Sequence, residues 1–168
     1  MKHNPFISFI VCLMMFFVYS SAQADWSVTI QAKGKKINGL YNSNISIGVG
    51  DKAIKIKSPP KTPIYSCSIA LVDLPQWSDY LATHIQQSTN ADHMWVFAIN
   101  PHGNVGGFDE AMSRLSWNPN HFGDGTFQLI EGFDGTGKVI IPNMKEVSSL
   151  DIKGFDEDLY FTIIPKKQ

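Results

Sequence analysis

The chain has 168 residues, with 14 lysine and arginine against 15 aspartate and glutamate, a formal charge of −1, and 43% hydrophobic residues. Arg114 is the only arginine, and the lysines are scattered. Nucleic-acid partners are normally gripped by a basic face rich in guanidinium groups, so this composition argues against them.

Residues 1–24 read as a secretory signal peptide. Lys2 and His3 precede an uncharged apolar run, Phe6–Tyr19, and Ala22-Gln23-Ala24 supplies the small-residue exit. The run is shorter than the roughly 20 residues that span a bilayer, so the expectation is cleavage before Asp25, no membrane span afterwards, and export to the periplasm or the outside of the cell. Residues 25–168 are then expected to form one domain. Cys67 is the only cysteine in that part, which excludes an internal disulfide there. Its place in the alternating run Ile64–Leu71 predicts a small buried apolar side chain, with pairing between chains as the other option.

Trp26–Ala32 opens the strand pattern: Trp26, Val28, Ile30 and Ala32 alternate with Ser27, Thr29 and Gln31, the signature of a half-buried strand. Ile45–Val49 follows. Ala53–Lys57 repeats the alternation, with Ile54 and Ile56 expected inward and the lysines outward, as suits an edge. Lys57–Pro63 holds three prolines and reads as an extended crossing segment, because proline donates no ladder hydrogen bond. Leu74, Trp77, Leu81 and Ile85 recur at helical steps, although Thr83–Gln87 also fits a strand. Met94–Asn100, apolar on both faces, predicts a central strand that holds Trp95 in the core. Arg114–Trp117, Thr126–Glu131, Lys138–Ile141 and Leu159–Ile164 complete the set.

All 13 glycines lie after residue 24, mostly in the gaps, where they permit tight loops. The fold expected is all-β: an antiparallel β-sandwich, Ig-like or jelly-roll-like, of about seven to ten strands, with one short helical turn as an open alternative.

No reactive motif stands out. A G-x-S-x-G elbow is absent, and His84, His93, His102 and His121 lack the close spacing of zinc ligands. Asp109-Glu110 is the kind of carboxylate pair a small hydrolase would use, which stays as a secondary alternative. Asn118, Asn120, Asp124 and Asp134 offer the hard oxygens that calcium takes, yet the same residues are ordinary turn formers. No cofactor is otherwise implied. Trp77, after Pro75, and Trp117, before Asn118-Pro119-Asn120, are the tryptophans expected to face solvent, where flat rings could stack on sugars.

The ordered series Trp26, Pro59-Pro60, Trp77 with Leu81 and Ile85, Met94-Trp95-Val96-Phe97, Leu115-Ser116-Trp117, Asn143-Met144 and Tyr160-Phe161 resembles a β-sandwich module of exported bacterial proteins. That resemblance covers nearly all of Asp25–Pro165 and implies a non-catalytic accessory role. The leading functional expectation is therefore a secreted or periplasmic module acting through surface contacts with a protein or cell-envelope partner. A carbohydrate-binding module using Trp77 and Trp117 is the alternative.

Overall fold

The structure is a computed structural model that describes residues 25–34, 43–58, 67–73, 80–90, 92–101 and 110–166. The leader, Trp77, His102 and Asp109 lie outside the described residues, so the Asp109-Glu110 pair is described only at Glu110. Among the described residues there are eleven strands: β1 (Trp26–Gly34), β2 (Ser43–Gly50), β3 (Ile54–Lys57), β4 (Ser68–Val72), β5 (Tyr80–Gln87), β6 (Trp95–Asn100), β7 (Ala111–Ser116), β8 (Thr126–Glu131), β9 (Val139–Ile141), β10 (Ser149–Gly154) and β11 (Leu159–Lys166). A 3-10 turn, Pro119–His121, precedes β8. Among the described residues there is no α-helix, and none long and apolar enough to cross a membrane.

The all-β expectation holds, but the architecture differs from two separate antiparallel sheets. One sheet runs in the order β10-β7-β1-β2-β5-β4-β6-β11-β8-β9, with β3 pairing the other side of β5. Every pair is antiparallel except β2 with β5, which run parallel from Ser46–Thr83 to Gly50–Gln87. The sheet is therefore mixed. It curls into a half-barrel, because β2 and β4 both border β5 and meet at Ser43, whose hydroxyl donates to the Ile69 carbonyl at 3.1 Å and accepts from its amide at 3.2 Å.

Curling brings the inner faces of the two ends together over one core. Val28, Ile30 and Ala32 of β1 and Ile45, Ile47 and Val49 of β2 share it with Trp95, Phe97 and Ile99 of β6 and Phe127 and Leu129 of β8. Each fully buried Val, Ile, Leu or Phe of such a core contributes roughly 1.5–3 kcal/mol. β6 is buried on both faces, as its unbroken apolar sequence requires: Val96 and Ala98 pack outward with Val72, Tyr80, Met94 and Tyr160. Cys67 belongs to the main core, and burial raises its thiol pKa above the ordinary value.

One open alternative is decided and one expectation is corrected. Of the helix and the strand left open over this stretch, residues 80–87 form the strand, because β5 is the hub on which β2, β3 and β4 pair. Ile54 and Ile56 are not inward: they are 47% and 53% exposed, since β3 hangs on the far side of β5, where no described element covers it.

Candidate functional site at the open seam

Among the described residues, the half-barrel is open on one side, between the terminal strands β10 and β9. A cleft of about 510 Å³ fills this seam. One lip is Leu150–Lys153 of β10; the other is Glu131–Phe133 with Ile140 of β9; the floor is Leu159 and Phe161 at the start of β11. Four consecutive residues of β10 line the cleft. Neighbouring side chains on a strand point to opposite faces, so the cleft lies along the edge of β10 rather than over one face. Among the described residues, no strand pairs with the outer edge of β10 or of β9.

Local sequence explains each lip. In β10 (SLDIKG), Leu150 and Ile152 pack toward the core while Asp151 and Lys153 stay exposed. β10 is held to β7 by the antiparallel ladder Ser149–Ser116 through Gly154–Ala111. Arg114 of β7 clamps Asp151 with two bonds, Nε to Oδ1 at 2.7 Å and Nη2 to Oδ2 at 2.8 Å, and these bonds and the carboxylate charge hold its guanidinium pKa above the ordinary value. Lys153 faces Glu110 at 3.7 Å. On the other lip, the β8–β9 hairpin turns through Gly132 and Gly135, at φ of 96° and 74°, a region side chains other than glycine seldom occupy. Phe133 meets Tyr160 edge-on, ring centroids 6.4 Å apart at 87°.

At the end of the seam, residues 155–158 carry the chain from β10, at one end of the sheet, to β11, which lies in the other half between β6 and β8. Asn100 anchors this crossing by donating Nδ2 to Asp156 Oδ1 at 3.0 Å. Tyr80 donates its hydroxyl to Asp158 Oδ2 at 3.4 Å. Burial first, then the Asp158 charge, push the Tyr80 phenol above its ordinary 10.0. The cleft thus combines hydrocarbon walls, exposed strand edges and a rim with more carboxylates than cations.

The residues singled out from sequence lie elsewhere. Trp117 is a correction: it is only 6% exposed. It follows Leu115 on the core face, and its Nε1 donates to the Met144 carbonyl at 2.9 Å, so its ring faces protein rather than solvent. Asn118 caps the 3-10 turn by accepting from the Asn120 amide at 3.1 Å, and its Nδ2 lies 3.0 Å from His121 Nε2. Asp134 accepts from the amide and hydroxyl of Thr136, both at 2.9 Å, which hold its pKa below the ordinary value. Asp124 and Asp134 sit beyond opposite ends of β8, which spans about 16 Å at a strand's rise per residue, so Asn118, Asn120, Asp124 and Asp134 do not form one coordination shell. Among the described residues, no three His, Cys, Asp or Glu side chains converge as a metal site.

β10 itself escaped the sequence reading. Its signal was the alternation Leu150, Ile152 between the turn at Asn143–Ser148 and Gly154, too short to weigh against stronger runs. Compared with known proteins, the chain matches no family model, no curated protein and no solved structure.

Proposed function

We propose that this protein is an exported, non-catalytic binding module that holds an extended polypeptide segment of a partner in the seam between β9 and β10. The observation that carries this reading is the cleft running along the edge of β10. Backbone groups on an unpaired edge are a template for an added strand, and apolar walls on either side supply the side-chain pockets that such β-augmentation uses. Added strands of this kind bind through main-chain hydrogen bonds and take their specificity from alternate side chains. Export rests on the leader at residues 1–24 and places the protein in the periplasm or outside the cell.

The carbohydrate reading has less support. It rested on paired flat indoles, and Trp117 lies in the core. Phe133 and Tyr160 are aromatic, but they meet perpendicular to one another rather than as a platform.

A displayed library of random peptides tests the proposal. Peptides selected on the native protein should lose binding to Leu150→Asn, which removes apolar surface from one lip and keeps the side chain near its original size. Selection that yields only binders indifferent to Leu150→Asn would sink it, and so would robust glycan binding competed by none of the peptides.

A further inference from the structure

We propose that Asp124-Gly125 is a site of spontaneous backbone isomerisation, with water as the only co-reactant and an isoaspartyl linkage as the product, and that the fold withholds the same reaction from Asp134-Gly135. The site is separate from the seam: Asp124 stands two residues before β8, and the seam begins at the far end of that strand, at Glu131.

The reaction is a rearrangement of the chain itself. The Gly125 nitrogen attacks Asp124 Cγ. The new C–N bond closes a five-membered succinimide, the Cγ–OH bond breaks, and the hydroxyl leaves with the amide proton as water. Water then adds to one of the two ring carbonyls. Opening at Cγ restores aspartate. Opening at the main-chain carbonyl leaves the chain running through Cβ and Cγ. One water leaves and one enters, and nothing is oxidised or reduced. The aspartate must therefore be free to turn back onto the next amide, and that amide must be uncrowded.

The chain holds the same tripeptide twice, Asp124-Gly125-Thr126 and Asp134-Gly135-Thr136. In both, glycine offers an attacking nitrogen with no Cβ beside it. Local sequence treats the two alike; the fold does not. At Asp134, Oδ1 accepts from the amide and the hydroxyl of Thr136, so the carboxylate is held toward the residue beyond Gly135. Those bonds favour the ionised form, from which oxide leaves poorly. A Cβ on Gly135 would meet methyl groups of Thr162 and Ile164 at 3.8 and 3.9 Å. At Asp124 these restraints are missing. Thr126 opens β8 opposite Lys166, and among the described residues Asp124 is exposed with no donor bonded to its carboxylate. A Cβ on Gly125 would meet nothing within 4 Å, so the peptide has room to turn.

The product reaches the core. An isoaspartyl residue adds a carbon to the main chain beside Gly123, which lies against the Trp26 indole and whose carbonyl accepts from Lys145 Nζ at 2.9 Å.

The test ages the purified protein for weeks at neutral pH, folded and in urea, and digests it after glutamate. Residues 111–131 and 132–146 then carry one site each. Isomerisation splits a fragment into two chromatographic peaks of equal mass, whereas deamidation of Asn118, Asn120 or Asn143 raises the mass. In the folded protein 111–131 should split about tenfold faster than 132–146, the scale of the two hydrogen bonds that must first break at Asp134. In urea the rates should converge. Thr136→Val, which removes the hydroxyl donor and keeps the shape, should speed splitting of 132–146 by about threefold. Asp124→Glu keeps the charge, loses the five-membered route and should leave 111–131 single. Near-ultraviolet dichroism should drift as 111–131 converts; conversion without drift would overturn the link to Trp26. Equal rates in the folded protein, or splitting of 132–146 alone, would overturn the proposal. So would a 111–131 fragment that splits only in urea, or one that still splits in Asp124→Glu.

Discussion

The indole Nε1 of Trp95 on β6 donates a 3.0 Å hydrogen bond to the backbone carbonyl of His84 on β5. β5 and β6 are not direct neighbours in the sheet order, so one side chain both fills the core and ties together two strands that share no ladder. Trp95→Ala should cost about 3–5 kcal/mol, the range for removing a large aromatic from a core. Trp95→Phe keeps much of the volume but leaves the His84 carbonyl without its donor, and should cost about 1–3 kcal/mol. Denaturant melts of both variants check this. Equal loss in the two would mean that the hydrogen bond, rather than the packing, dominates.

Ser43 joins β2 to β4 through both backbone groups of Ile69, which is buried. Ser43→Ala strips the Ile69 amide and carbonyl of their common partner and should destabilise the fold by about 1–3 kcal/mol. Hydrogen exchange should show the Ile69 amide opening more readily than the amides of β11. An unchanged Ile69 exchange rate would show that the junction is held by something else.

Gly123 lies against the pyrrole edge of Trp26, and a Cβ there would overlap ring atoms Cγ, Cδ1 and Nε1. The ring has little room to retreat, because it packs edge-on to Trp95 and Phe127 at 5.5 and 4.9 Å. Gly123→Ala should cost about 1–3 kcal/mol as overpacking and alter the near-ultraviolet dichroism of the tryptophans. A variant with native dichroism and native stability would contradict the close approach.

His84 is half-buried. Burial first, and the Lys55 charge second, lower its pKa from 6.5, with Asp73 pulling the other way. The unfolded chain therefore takes up the proton more readily than the folded one. The contribution of His84 to stability is full above pH 6.5 and declines as pH falls from there toward the folded value. His84→Gln should flatten this part of the profile, and Lys55→Gln should make the decline shallower by removing the like charge. Denaturant midpoints measured from about pH 7.5 down to about pH 5, the span in which histidine titrates, give the comparison. Identical profiles for the protein and His84→Gln would rule the group out.

Strands with one covered face were readable from the chain alone. In Trp26–Gly34 the alternation of Val28, Ile30 and Ala32 with polar residues reports a face that must be buried, and β8 announces itself through Phe127 and Leu129 in the same way. The doubly buried β6 was equally plain, because a strand packed on both faces is apolar at successive positions, here from Trp95 to Ile99. Alternation says which residues share a face, but not what lies opposite. Ile54 and Ile56 share a face, yet β3 sits outside the hub strand and nothing described covers them. Trp117 stands beside turn residues, yet Met144, distant in the chain, supplies both its cover and its acceptor. The single curled sheet depends on the parallel pairing of β2 with β5, which neither strand encodes by itself. The seam draws on residues 131–133, 140, 150–153 and 158–161, and no local pattern joins them. Short-range sequence fixes which groups a strand turns inward; only the order in which strands pair decides which edges are left without a neighbour.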